Sequence, residues 1–147
     1  MPSNRFFRVM NTLHRGLLRT TGGRVGWRAY GMPMLELTTT GRTSRQKRTT
    51  MLSSPLQLGD TVIIVASRGG DDVHPGWYHN LVAEPRVEVV LRGRAAVPMR
   101  ARVATPAERA DLWPKITKDH PNFAAYQVRT EREIPVVLLE PVRDHPA

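Results

Sequence analysis

The sequence predicts a single, mainly-β domain of the α+β kind, with about six antiparallel strands and short helices packed around them. Three observations carry that expectation. Short apolar or alternating runs, such as Leu35–Leu37 and Val62–Ala66, recur between glycine and proline turn signals. Helical periodicity is confined to a stretch near the N-terminus, a short piece after Pro75 and a longer one after Thr105. The long βαβ unit of a dinucleotide-binding fold, with its G-x-G-x-x-G turn, is missing.

Arg5 to about Thr20 reads as an amphipathic helix, with Phe6, Met10, Leu13 and Leu17 on one face and Arg5, Arg8, Arg15 and Arg19 around them. Such a helix either packs across the open end of the sheet or touches a membrane interface weakly. Residues 1–33 are expected to hold this helix and its connection, and residues 34–147 the β domain. Met34–Thr39 alternates Leu35 and Leu37 with Glu36 and Thr38 and makes a first strand. Arg48–Leu56 makes a second, ending at Ser54-Pro55. Between them, Thr40–Lys47 is a polar turn carrying Gly41, Arg42, Thr43, Ser44 and Arg45. Guanidinium forks, hydroxyls and backbone N–H groups in such a turn can converge on phosphate oxygens. A charged hairpin loop with no ligand fits the same pattern equally well.

Gly59-Asp60 turns the chain into the strand Val62–Ala66, which Ser67-Arg68-Gly69-Gly70 then breaks. Paired glycines permit positive φ and close backbone approach to a ligand. Asp71 and Asp72 are candidate N-caps, and Pro75 opens a helix over Trp77–Glu84 that stops before Pro85. Val87–Leu91 and Ala95–Ala104 form a hairpin about Arg92-Gly93-Arg94, with Pro98 marking an edge or a bulge. Thr105-Pro106-Ala107-Glu108 is a capping box, Pro114 marks a kink or break, and Asn122–Thr130 adds another helical turn or two. Ile134–Leu139 is almost continuously apolar and is therefore a central strand.

Composition narrows the chemistry. With no cysteine among 147 residues there is no disulfide framework, no thiolate nucleophile and no thiolate metal site. His74 and His79 are five apart, poor spacing for ligands, and no metal motif occurs, so no metal is expected. Neither a Ser/His/Asp order nor G-x-G-x-x-G is present. The net charge of +9 suits an anionic small molecule, a membrane surface or nucleic acid. Aromatics are only 6% and no recognition module is evident, so nucleic acid is not expected as a partner. Polar residues Asn11, His14 and Arg15 interrupt any leader-like run, and no stretch approaches the roughly 20 apolar residues of a spanning helix. A cytoplasmic protein is expected, with weak contact at the inner face of the plasma membrane through residues 5–20. Composition leaves the oligomeric state open.

Ser67-Arg68-Gly69-Gly70, followed by His74-Pro75-Gly76-Trp77-Tyr78-His79-Asn80-Leu81, resembles the signature of the deazaflavin-dependent nitroreductase and quinone reductase family. Two further segments keep the family's order. Leu37 to Arg48 resembles its threonine-glycine-arginine phosphate loop, and Tyr126-Gln127, Thr130, Arg132 and Ile134-Pro135-Val136 resemble its closing segment. The loop departs from the family at Thr43 and Arg45, where lysine and glycine are usual.

The resemblance implies a split β-barrel of the flavin-reductase type that binds coenzyme F-420, an 8-hydroxy-5-deazaflavin, with flavin mononucleotide (FMN) as the alternative. It implies hydride transfer to an electron-poor acceptor, a quinone first and nitroaromatics or enones second; a non-catalytic coenzyme carrier is the rival reading. Arg42, Thr43, Ser44 and Arg48 would hold the phosphate and tail, while Val65, Ser67, Arg68, Gly69 and Asn80 would line the deazaflavin or its linker. Trp77, Phe123 and Tyr126 would border the acceptor, with Trp77 equally suited to the core. Tyr126 is the implied proton donor, since a phenol carries its proton at neutral pH. His120 and Phe123 stand where the family has tyrosines, and His120 is a second candidate donor.

Overall fold

The computed structural model describes residues 28–29 and 32–142. The helix expected over residues 5–20 lies outside them. In chain order the elements are β1 (Arg28–Ala29), β2 (Met32–Thr40), β3 (Lys47–Ser53), β4 (Leu56–Leu58), β5 (Thr61–Val65), α1 (Gly76–Ala83), β6 (Arg86–Leu91), β7 (Val97–Val103), α2 (Pro106–Asp119), α3 (Pro121–Val128) and β8 (Val136–Pro141). All strand pairs are antiparallel. The row runs β3-β2-β6-β7-β8-β5-β4, with β1 continuing beside the start of β2.

The edge strands β3 and β4 are separated by only Ser54-Pro55. Two residues span at most about 7 Å, so the sheet has to curl until its edges approach each other. Ser54 fastens that seam. Its N–H donates to the Pro33 carbonyl (2.8 Å) and its hydroxyl to the Ile63 carbonyl (2.6 Å).

Curling gives the sheet two unlike faces. Inside lie Leu35, Leu37, Val62, Ile64, Val89 and Leu139, and Leu81 of α1 packs into this cluster. On the outer face of β5 and β8, Ile63, Val65, Val136 and Leu138 are covered by Leu112 and Ile116 of α2 and Phe123 of α3. These two strands are thus buried on both sides, which explains their unbroken apolar sequences. Each such side chain contributes about 1.5–3 kcal/mol on burial.

Several local expectations are corrected. The expected strands form, and among the described residues Leu56–Leu58 beyond Ser54-Pro55 and Arg28–Ala29 add two further short strands to the sheet. Neither Asp71 nor Asp72 caps α1, whose N-cap is Pro75 with no side-chain bond. The Asp71 carboxylate instead accepts from the Asp72 N–H (2.8 Å) and pairs with Arg68 (3.2 Å). Strand β7 is interior, and Pro98 is tolerated because pairing with β8 begins only at Met99. Helix α2 runs through Pro114 and ends at His120, ahead of Pro121. The carbonyl that Pro114 leaves without a donor belongs to exposed Ala110, where water can satisfy it.

The capping box at α2 forms as expected and is reinforced from β7. Glu108 accepts from the Thr105 N–H (3.0 Å) and, through both oxygens, from Arg102 (2.7 and 2.9 Å). Those bonds, Arg102 first and Thr105 next, pull the Glu108 carboxyl down to about 2. A folded value below the unfolded one means the contribution is complete above the ordinary carboxylate range and is lost as pH falls toward 2. Thermal melts from about pH 5 downward are therefore expected to fall more steeply for the native chain than for Glu108→Gln, which cannot titrate there.

Candidate functional site

The turn between β2 and β3 is braced at its base by the Thr38 and Thr49 hydroxyls, 2.9 Å apart. The Gly41 N–H donates to the Gln46 carbonyl (2.7 Å), and the Arg45 N–H returns to the Gly41 carbonyl (2.9 Å). Ser44 folds its hydroxyl back into the turn, accepting from the Gln46 N–H (3.2 Å). A Cβ on Gly41 would lie 2.5 Å from that oxygen, so this fold-back requires glycine there. Residues 42–48 are all exposed and include Arg42, Arg45, Lys47 and Arg48. None of these four cations has an acidic partner among the described residues.

Arg45 has φ +61°, the conformation that glycine adopts without steric cost. The loop therefore keeps a glycine-type turn despite carrying arginine where the family usually has glycine. Arg45→Gly should raise stability by about 0.5–1 kcal/mol, read as a higher midpoint in urea unfolding.

Helix α1 is docked onto this turn by one side chain. Asn80 Oδ1 accepts from the Arg42 N–H (3.1 Å) and its Nδ2 donates to the Thr39 hydroxyl (3.2 Å). His79, the preceding residue, is held below the ordinary histidine range by burial and by the Arg42 guanidinium.

Beyond the end of β5 the backbone enters three consecutive positive-φ residues, Arg68 (+47°), Gly69 (+66°) and Gly70 (+84°). Gly70 lies against α3, where a Cβ would sit 2.7 Å from the Tyr126 carbonyl oxygen. Arg129 donates to the Gly69 carbonyl (3.3 Å). The main clamp is Arg132. Its guanidinium donates to the carbonyls of Ala66 (3.2 Å), Ser67 (2.9 Å) and Asp71 (2.8 Å) and meets His74 Nδ1 at 2.9 Å. Gln127 holds Arg132 in turn, donating to its carbonyl (2.7 Å) and accepting from the Ile134 N–H (2.9 Å).

A ring cluster links these loops. His74 lies 4.5 Å from Tyr78 and 5.6 Å from His79 between ring centroids. Asn80, bonded to the Arg42 N–H, and the contacts His79–His74–Arg132–Ser67 beside it bring the cationic turn and the glycine loop to one end of the sheet.

Arg42, Thr43, Ser44, Ser67, Arg68, Gly69 and Asn80 lie on these two loops or on the helix between them, and Arg48 lies at the start of β3, next to the turn. Arg68 is engaged with Asp71 and its side chain is only 10% exposed. Val65 and Phe123 do not fit the places expected for them. Both side chains are buried in the cluster under α2 and α3, because β5 alternates Val65 to the outer face with Ile63. Trp77 and Tyr78 are partly exposed and pack on the inner core. Tyr126 has its ring edge-on to Phe123 (5.9 Å) and beneath the Arg129 guanidinium (5.6 Å). His120 sits at the joint of α2 and α3, six residues before Tyr126, or about 9 Å along a helix axis. Among the described residues no metal-binding cluster occurs.

Over residues 10–141 the chain matches the F420H(2)-dependent quinone reductase family. The chain belongs to that family. It is 44% identical over 131 residues to the F420H(2)-dependent quinone reductase Rv1261c of Mycobacterium tuberculosis (strain ATCC 25618 / H37Rv), covering 86% of this chain and 87% of that protein. Among solved structures it is similar to an F420-H2 dependent reductase, FDR-A, with TM-score 0.65 and 38% identity over 74% of this chain and 94% of the other. A protein solved as a domain-swapped dimer aligns with TM-score 0.67 and 35% identity over 88% of this chain and 94% of that one. The curled sheet of this quinone reductase family member is the split barrel that the sequence resemblance implies.

The residues present suit the family's coenzyme. Four cations with no acidic partner among the described residues stand on this turn and the first residues of β3, and the adjoining glycine loop has a backbone shape open to close approach. Sequence reasoning placed Gln127 and Arg132 in the closing segment without giving them a task. Their five-residue spacing holds no local signal, since Arg132 acts on residues about 60 positions away.

Proposed function

We propose that this chain transfers a hydride from the reduced deazaflavin coenzyme to a quinone. The observation that carries the reading is the convergence of the exposed cationic turn and the Ser67–Gly70 loop at one end of the barrel. When bound, the coenzyme supplies two electrons and one proton as hydride; the quinone needs one further proton to become a quinol. Arg42 and Arg48 hold the anionic arm, with the Ser44 hydroxyl hydrogen free to join them. Ser67 and Gly69 line the linker through their backbone, and Asn80 sets the angle between α1 and the turn.

Partly exposed Trp77 forms a wall of the acceptor space. Tyr126 delivers the remaining proton, a reading supported by the close packing of its backbone against Gly70 of the loop; His120 is the second candidate donor. Nitroaromatics and enones are secondary acceptors. Residues 5–20 give weak membrane contact, a reading supported by their basic amphipathic pattern alone and tested by sedimentation with anionic vesicles. Among the described residues no helix is long and apolar enough to cross a membrane.

Titration with the oxidised deazaflavin and with FMN, side by side, followed by mixing of the reduced complex with a quinone, tests the proposal. Saturable deazaflavin binding and quinone-dependent reoxidation are expected. Tighter binding of FMN would replace the cofactor assignment, and binding without reoxidation across a quinone panel would make the chain a carrier.

A further inference from the structure

We propose that Arg132 is the positioning residue of the cofactor loop and that His74 is its acid-sensitive latch, the loop being held in its binding shape only while His74 Nδ1 is unprotonated. The inference rests on the cofactor site proposed above but concerns residues to which that reading gives no role.

Three of the four Arg132 contacts are to backbone carbonyls that bracket the loop, at Ala66, Ser67 and Asp71. A carbonyl in any backbone conformation could in principle accept such a bond; three on one rigid fork fix the loop's curvature. The fourth contact is of another kind. A guanidinium has donors only, so Nδ1 of His74, 2.9 Å from Arg132 Nη1, must accept. The neutral ring then carries its proton on Nε2. Protonation at Nδ1 would set two cationic donors against each other at that distance, and the contact would be lost.

The surroundings keep His74 in the accepting form. Burial, the Arg132 guanidinium and His79 hold it below the ordinary histidine range. From α1 it faces Tyr78 and His79. Arg109 of α2 and Glu133 line the same small cavity, about 180 Å³ in volume, and Asp71 and Asp72 act on its partner Arg132. Of these carboxylates only Glu133 shares the cavity with His74, and it is engaged toward Arg109 at 3.6 Å. Because the folded value is depressed, the latch is complete above the ordinary histidine range and opens as pH falls below it.

Two readouts test this on the full chain. The first is the Kd of the oxidised coenzyme between about pH 7.5 and about pH 5.5. Affinity should fall severalfold on acidification in the native protein, short of tenfold because the ring is held below the ordinary histidine range, and stay flat in His74→Asn, whose amide oxygen can accept from Arg132 at any pH. The second needs no coenzyme: hydrogen-exchange protection factors over residues 66–74, corrected for intrinsic rates, should drop on acidification in the native chain and not in His74→Asn. Arg132→Lys keeps the charge but loses the fork. It should raise Kd about tenfold at neutral pH while kcat at saturating coenzyme changes less than about threefold. Superimposable pH profiles for the native chain and His74→Asn in the exchange experiment would overturn the latch. So would a profile abolished by His79→Asn instead, and native-like binding by Arg132→Lys would overturn the positioning role. Absence of coenzyme binding at every pH would count against the proposed function, while the exchange measurement would still decide the latch.

Discussion

Gly70→Ala is expected to cost about 3 kcal/mol, lowering the melting temperature by roughly 10 °C. Two effects add. The residue sits at φ +84°, where any side chain is strained, and the new methyl would lie 2.7 Å from the Tyr126 carbonyl oxygen and 3.0 Å from its Cα. Both neighbours are backbone atoms of α3, so neither can swing aside as a flexible side chain would. Relief requires α3 or the Ser67–Gly70 loop to move. The same substitution should therefore weaken coenzyme binding as well as stability. Gly59→Ala is the matched control: it also has positive φ (+59°) but nothing within 4 Å of the added methyl, so it should cost only about 1 kcal/mol. Equal losses in the two variants, by chemical denaturation, would show that the contact with α3 is not tight.

Replacing both Arg42 and Arg48 with Gln should weaken deazaflavin binding roughly thirtyfold, about 2 kcal/mol for the pair. Each arginine is exposed and unpaired among the described residues, so neither substitution strips a partner from a buried acid. That keeps the cost to folding small and confines the effect to the ligand. Exposure also limits the magnitude, since solvent screens such contacts. Binding by the native chain should weaken with added salt, and the double variant should show a shallower dependence. Unchanged affinity at low salt would remove this turn from the site.

Features set by short-range pattern were legible in the sequence. The runs at Val62–Val65 and Val136–Leu139 read as strands because burial on both faces leaves no polar positions to confuse the period. The capping box at Thr105–Glu108 and the glycine-bearing turn at Gly41 declare themselves within four to six residues. What was not legible depends on partners far along the chain. Asp71 looks like a helix cap until Arg68 is seen folded onto it. Phe123 looks like a pocket aromatic until α3 is placed over β5 and β8. Arg132 and Gln127 act across the fold, and only the assembled loops reveal their role. Arg45 is an intermediate case: its identity departs from the family while its φ preserves the glycine shape.

A different concavity, about 1080 Å³ in volume, is lined by Thr61, Arg86, Arg100 and Glu140 among others. It lies toward the start of β5, whereas the Ser67 loop follows the end of that strand. Its size makes it the natural rival location for a bound coenzyme. Hydrogen exchange with and without saturating oxidised deazaflavin separates the two directly. Ligand-induced protection is expected over residues 41–48 and 66–74, with the segments around Thr61, Arg100 and Glu140 unchanged. Protection at those three segments, with residues 41–48 and 66–74 unaffected, would contradict the placement of the coenzyme on the cationic turn and glycine loop.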